Sequence, residues 1–264
     1  MLEIFQYDFM IRALLAGLLI SLVLPVLGVF LIARRYALIA DSLSHVSLAG
    51  VGVAILTATS PLIAALPVAV GGAVLLEWLR GKQKVSGETG LAVLMSGGLA
   101  VAVVCANLAR NTAVDFNTYL FGSISTTTSN DLLLLCIAAL SILLVVGFSY
   151  RTLLYGSFDE DAARAARLQV SAANYALVVM TAVMVVLSLR IIGGLLLSAL
   201  IVVPVVAASQ ISRSFRQTIA YAVAIALVAV IVGLIIAFYA GIAAGGAIVL
   251  TALTIFGFIL LLKE

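Results

Sequence analysis

Charge is scarce in this sequence: only 9% of its 264 residues are Asp, Glu, Lys or Arg. A water-facing globular domain carries about 25%. The shortfall excludes a soluble fold, because too little charge is available to cover a hydrated surface, and most of the exterior must face lipid. Cysteine is limited to Cys105 and Cys136, both in apolar runs, which excludes a disulfide framework and reads as two buried free thiols. Basic residues are scattered and the formal net charge is only +3, so there is no nucleic-acid footprint. No G-x-x-x-x-G-K run followed by Ser or Thr occurs, which leaves the chain without a phosphate loop of its own. Ahead of the first apolar run stand Glu3 and Asp8, with no basic leader and no cleavage signature, so the first hydrophobic stretch reads as an uncleaved span.

What is there in abundance is hydrocarbon. Hydrophobic residues make up 65% of the chain, with a mean hydropathy of +1.32. Residues 13–33, 89–109, 132–150, 168–189 and 191–212 contain no Asp, Glu, Lys or Arg, and each is long enough to cross a bilayer as a helix. The uncharged stretch 217–262 holds two spans that turn near Tyr239–Gly246, where Gly241, Gly245 and Gly246 weaken the helix. Residues 36–79 hold two more, divided at Ser60-Pro61 because a residue before proline leaves the helical region. The reading is an all-α polytopic membrane protein, a single transmembrane domain over 1–264 with about nine spans, eight if one segment is short or re-entrant.

Lys and Arg set the orientation, since cytoplasmic loops retain them. With the N-terminus outside, Arg34, Arg35, Arg80, Lys82, Lys84, Arg151, Arg164, Arg167, Arg213, Arg216 and Lys263 fall inside. Only Arg12, Arg110 and Arg190 fall outside, and a shift by one helix destroys the bias. The expected topology is N-out and C-in.

Two connections exceed a turn. The external one, 110–131, carries the aromatic run Val114-Asp115-Phe116-Asn117-Thr118-Tyr119-Leu120-Phe121-Gly122, either a short helix over the outer mouth or an interfacial anchor. In the internal one, 151–167, Ser157 and Glu160 have capping-box spacing, Asp159 to Asp161 put negative charge on a first turn, and Arg164 and Arg167 stand at the other end. That pattern is a short amphipathic cytoplasmic helix; a solvated connector has the same features.

Chemistry is confined to few residues. The single histidine, His45, stands four residues after Asp41, one helical turn away on the same face. Ionisable groups in a span face a cavity or one another, and a carboxylate with an imidazole can share a divalent transition metal. Equally, Asp41 caps the second helix and His45 packs. Two ligands are too few for a closed zinc site, whereas a twofold axis through a homodimer would supply four. Glu77 beside Trp78 reads as snorkelling to the interface, and Asn107 and Asn174 as interhelical hydrogen-bonders. Pro25 and Pro204 lie mid-span, where they free carbonyls and either shape a pore or pack.

The run Leu27-Gly28-Val29-Phe30-Leu31-Ile32-Ala33-Arg34-Arg35, followed by Ile39-Ala40-Asp41-Ser42-Leu43-Ser44-His45-Val46-Ser47-Leu48-Ala49-Gly50, resembles the permease subunit of bacterial ABC importers for zinc and manganese. The resemblance continues through Asp115-Phe116-Asn117-Thr118-Tyr119-Leu120-Phe121-Gly122-Ser123-Ile124 and Ser157-Phe158-Asp159-Glu160-Asp161-Ala162. It reaches Gly193-Gly194-Leu195-Leu196-Leu197-Ser198-Ala199-Leu200-Ile201-Val202-Val203-Pro204 and so covers nearly the whole chain. It implies a homodimeric permease in the bacterial inner (plasma) membrane, bound to two copies of a cytoplasmic ATP-binding subunit. An extracytoplasmic metal-binding protein would deliver the ion. Asp41 and His45 would coordinate it, with no permanently bound cofactor and Zn²⁺ or Mn²⁺ passing transiently. Ser157, Phe158, Asp159, Glu160, Asp161, Ala162 and Arg164 would form the coupling helix seated in the ATPase. Such permeases often carry glycine where this chain has Arg167. The Ser42–Gly50 wording and the Phe158–Asp161 run are closer to zinc members, with Mn²⁺ or Fe²⁺ as alternatives.

Two rivals come from other classes. An intramembrane metalloenzyme would need a third ligand and a base, which one histidine does not supply. A self-sufficient channel or carrier needs no docking helix, and the halves 1–130 and 131–264 show no repeat.

Overall fold

The computed structural model describes residues 7–82, 87–109, 116–123 and 127–263. Among them there are only helices: α1 (Asp8–Ala33), α2 (Ile39–Thr57), α3 (Pro61–Gly81), α4 (Gly87–Leu108), α5 (Phe116–Phe121), α6 (Ser129–Phe158), α7 (Glu160–Ala165), α8 (Val170–Ile192), α9 (Gly194–Ile211), α10 (Phe215–Ala240) and α11 (Ala244–Leu261). Eight of these are long and apolar enough to cross a membrane. The other long helix is α9, 18 residues or about 27 Å, whose apolar part, Leu196–Ile211, is shorter. Eight clear spans plus this short one match the expectation of about nine, with eight as its lower bound. Glu3, Lys84, Arg110, Asp115 and Ile124 lie outside the described residues.

Helix boundaries follow local chemistry. Pro61 opens α3 behind an extended Ser60, and Gly241 closes α10 in the left-handed region, as read from the sequence. α6 overruns its expected end by eight residues, since Thr152 to Phe158 continue the helix beyond Arg151. Its 30 residues span about 45 Å against about 30 Å of hydrocarbon, so it projects past the membrane.

The helix at the centre of the bundle is α2, packed by α3, α4, α8 and α9. Its small residues make that possible. Lipid offers no hydrophobic drive between helices, so close backbone approach carries the packing. A Cβ on Gly50 would lie 2.5 Å from Ala65 Cα, and one on Gly98 of α4 would lie 2.7 Å from the His45 carbonyl carbon. Ser44 and Ser47 are satisfied within the helix, donating to the Ala40 and Leu43 carbonyls at 2.8 and 2.6 Å. On the other side, α1 packs against α6, α8, α9 and α10, and α11 covers α9 and α10. Large apolar side chains such as Ile63, Val93, Leu140 and Phe148 face outward, the inversion expected of a lipid-facing perimeter.

Several sequence expectations are corrected here. Cys105 is buried, but Cys136 is exposed, because it shares the outward face of α6 with Leu133, Ile137 and Leu140. Asn107 donates to Val103 O of its own helix at 3.0 Å, on an exposed face. Glu77 does not snorkel: it is buried, accepts from the Tyr36 hydroxyl at 3.0 Å and stands 3.9 Å from Arg80. Burial, then the Glu77 carboxylate, raises the Tyr36 hydroxyl above its ordinary range. Beside it Trp78 is exposed, with Lys82 Nζ 4.1 Å above its ring. Pro25 and Pro204 are buried inside α1 and α9, two helices that pack on each other.

Gly98 supplies a direct test. Gly98→Ala should force α2 and α4 apart and lower stability by about 1–3 kcal/mol, seen as a reduced unfolding midpoint in detergent. Gly97→Ala, which meets nothing within 4 Å, should stay within about 0.5 kcal/mol of the parent. Equal behaviour of the two variants would contradict the close α2–α4 contact.

Candidate functional site

Asp41 and His45 both lie on α2, whose first turn includes Asp41. The four-residue spacing brings His45 Nε2 to 3.9 Å from Asp41 Oδ1. That separation is beyond a hydrogen bond. Two donors on one tetrahedral metal, each about 2.1 Å away, stand about 3.4 Å apart, so a small side-chain rotation brings both onto one ion. The imidazole is otherwise unsatisfied: His45 Nδ1 is buried with no partner among the described residues. Buried polar atoms without partners are rare and call for an explanation.

The depth of the pair follows from its neighbours. The His45 backbone lies against Gly98, at the midpoint of α4, and Val46 against Gly72, near the midpoint of α3. His45 is only 5% exposed, while the Asp41 side chain is 22% exposed. The pair is thus enclosed by the α2 packing of one chain, with Asp41 nearer the surface. A four-ligand cage across a twofold axis therefore requires the helices around α2 to part. Among the described residues, no three His, Cys, Asp or Glu are grouped to hold a metal.

One face of the bundle is closed by backbone. At the end of α5, Gly122 has φ 77°, and at the α8–α9 corner Gly193 has φ 92°. A Cβ on Gly122 would sit 2.5 Å from Ile192 C, and one on Gly193 2.4 Å from Phe121 C. Ser123 N–H donates to Arg190 O at 2.9 Å. Beside this contact Asp131, in a capping box with Thr128, receives Arg190 Nη1 at 3.1 Å. Asp131, Arg190, Tyr119 and Ser60 line a cavity of about 140 Å³ above α2. Burial raises the Tyr119 hydroxyl, with Arg190 opposing.

At the opposite end lies the 151–167 connection, expected to be internal. The helix expected over 157–167 is α7, Glu160–Ala165, and the cap differs from expectation. Asp159 is the N-cap, accepting from Ala162 N–H at 2.9 Å, whereas Ser157 belongs to the last turn of α6. Asp159 takes the cap because α6 continues through Ser157 and Asp159 is the first extended residue after it. Glu160 and Asp161 lie in the first turn and Arg164 in the last, the charge order that the helix dipole favours; Arg164 pairs with Glu160 at 2.7 Å. Phe158 projects outward, and with Tyr155, Asp159 and Ala162 it lines a groove of about 670 Å³.

Arg167 has φ 59°. Leu168 N–H donates to Ala163 O and Arg167 N–H to Arg164 O, the paired bonds that place a left-handed residue just past a helix end. That is the physical reason glycine suits this position. Arg35 at φ 63° closes α1 the same way, with Tyr36 N–H on Leu31 O and Arg35 N–H on Ile32 O.

Arg34 reads from the sequence only as one of the cytoplasmic cations, and its role in the structure is different. Arg34 is buried and donates Nε to Ser157 Oγ at 3.0 Å, Nη1 to Asn174 Oδ1, and Nη2 to Leu153 O at 3.3 Å. Asn174 thus bonds between helices as expected, and its Nδ2 also reaches Glu160 Oε1 at 3.4 Å. Burial lowers the Arg34 pKa and the Glu160 charge opposes that shift. The available signal was the pairing of a basic residue at a span end with a polar residue, Asn174, inside another span.

Comparison with known proteins gives the family and the fold. The chain is 28% identical over 259 residues to the "High-affinity zinc uptake system membrane protein ZnuB" of Haemophilus influenzae, covering 98% of this chain and 99% of that one. It is 27% identical to the "Manganese transport system membrane protein MntC" of Listeria monocytogenes, covering 95% and 89%. The solved structure of PsaBC from Streptococcus pneumoniae in complex with Fab superimposes with a TM-score of 0.85 at 26% identity, covering 98% of this chain and 92% of that one. The family model described as "ABC 3 transport family" matches residues 6–263, and the chain belongs to that family of membrane transport proteins.

Proposed function

We propose that this chain is the permease subunit of an ATP-driven importer for a divalent transition metal, oriented N-out and C-in in a bacterial inner membrane. The observation that carries the reading is the buried imidazole of His45, without a partner at Nδ1 among the described residues and 3.9 Å from the Asp41 carboxylate, on the central helix of a family transporter. An ion passing through needs ligands that hold it briefly and release it, and two side chains in an otherwise incomplete shell meet that need. Zn²⁺ suits an imidazole–carboxylate pair; Mn²⁺ and Fe²⁺ remain alternatives on the same chemistry, and the relatives include both zinc and manganese systems.

The chain transports and does not catalyse: hydrolysis belongs to a separate cytoplasmic ATP-binding subunit. Two such subunits would serve a homodimer of this chain. The groove beside α7, lined by Tyr155, Phe158, Asp159 and Ala162, is the surface proposed to seat the ATPase. An extracytoplasmic metal-binding protein would deliver the ion above α5 and the Asp131–Arg190 pair. In this conformation His45 is enclosed, so delivery requires α2 and its neighbours to separate.

Reconstituted with a co-purified ATPase, with ATP inside the vesicles and metal outside, the complex should accumulate Zn²⁺ only when ATP is present; equal uptake without ATP would rule the reading out. His45→Ala should cut uptake by at least about tenfold while the ATPase still co-purifies. Normal uptake in that variant would remove His45 from the ion path. Reversing Asp159 and Asp161 to Lys should weaken ATPase association, partly through loss of the α7 cap at about 1 kcal/mol; unchanged co-purification and coupling would reduce α7 to a connector.

A further inference from the structure

We propose that Arg34 is a positioning residue that locks α7 to the end of α1, so that displacement of α7 is delivered through the α1–α2 corner to Asp41 and His45. The inference rests on the permease reading above and adds Arg34 and Asn174, which that reading does not use.

A chain of contacts links the two sites. From α7, Glu160 receives Asn174 Nδ2 on α8; Asn174 Oδ1 receives Arg34 Nη1; Arg34 Nε and Nη2 hold Ser157 Oγ and Leu153 O on α6. One guanidinium therefore ties the end of α1 to two helices, and through Asn174 to α7. A buried cation has few places to go. Arg stays charged, and a desolvated charge without partners is strongly destabilised. If α7 shifts, Arg34 must follow its acceptors.

Beyond Arg34 the path to α2 is short and stiff. The left-handed Arg35 turns the chain, and Tyr36 is 3% exposed. Tyr36 N–H is bonded back to Leu31 O at 2.8 Å, and its carbonyl accepts Ile39 N–H at 3.1 Å. Its hydroxyl is held by Glu77 of α3. Asp41 follows in the first turn of α2. No flexible linker intervenes, so motion of the α1 end is motion of the α2 start.

A purely structural cation would serve stability alone. Lysine separates the two roles, since it keeps the charge but its three donors share one nitrogen and lack the planar fork that reaches Ser157, Asn174 and Leu153. In vesicles holding the complex with its ATPase, Arg34→Lys should leave ATP turnover within about twofold of the parent while Zn²⁺ moved per ATP falls at least about tenfold. Asn174→Asp sets a carboxylate against Glu160 and should uncouple likewise. Combining it with Glu160→Gln restores an amide–carboxylate pair and should recover coupling to within about threefold.

Coupling at parental levels in both single variants would overturn the proposal. So would transport and ATP turnover falling in proportion, or a double variant no better coupled than Asn174→Asp. Should Arg34→Lys fail to assemble, the Asn174 pair decides alone. The parental complex is measured first in the same vesicles: absence of ATP-dependent uptake there sinks the permease reading, whereas the Arg34 proposal fails only on the variants.

Discussion

Polar groups survive in hydrocarbon only where protein encloses them, and the placing of α2 answers that constraint. Its small residues let α3 and α4 approach to backbone contact at Gly50 and Gly98, which shuts lipid out from the stretch that carries Asp41 and His45. The same closeness removes the room a second shell would need. The imidazole is left with an unsatisfied Nδ1, a defect that a soluble core would remove and that an ion path can use.

Elsewhere the chain meets the same constraint by pairing. Glu77 takes Tyr36 and Arg80, Arg190 takes Asp131, and Arg34 takes three acceptors. These pairings lie toward the ends of helices, and each bridges segments distant in sequence or closes a helix end. His45, beside the midpoints of α3 and α4, keeps one imidazole nitrogen without a partner among the described residues.

The span pattern was legible in the sequence because long uncharged runs have few alternatives in a bilayer, and Pro61 and Gly241 mark two of the turns. That Asp41 and His45 stand side by side was legible because helical spacing alone puts them on one face. What escaped was tertiary. Hydropathy stops at Arg151, so the last turns of α6 were unread, and with them the burial of Ser157 that hands the α7 cap to Asp159. Glu77 and Arg34 looked like interface charges because their partners, Tyr36 and Asn174, stand 41 and 140 residues away in sequence. Cys136 looked buried because an apolar run does not reveal which side faces lipid.

The uninterrupted length of α6 has a mechanical consequence. Near its first turn Asp131 grips Arg190, and in its last turn Ser157 receives Arg34, with 30 helical residues between Ser129 and Phe158 and no proline among them. Such a rod does not absorb a push by bending. Pivoting about its middle by about 5°, a helix about 45 Å long swings each tip about 2 Å, in opposite directions. Pivoted in that way, α6 would carry a displacement of its Ser157 end to its Asp131 end with the direction reversed.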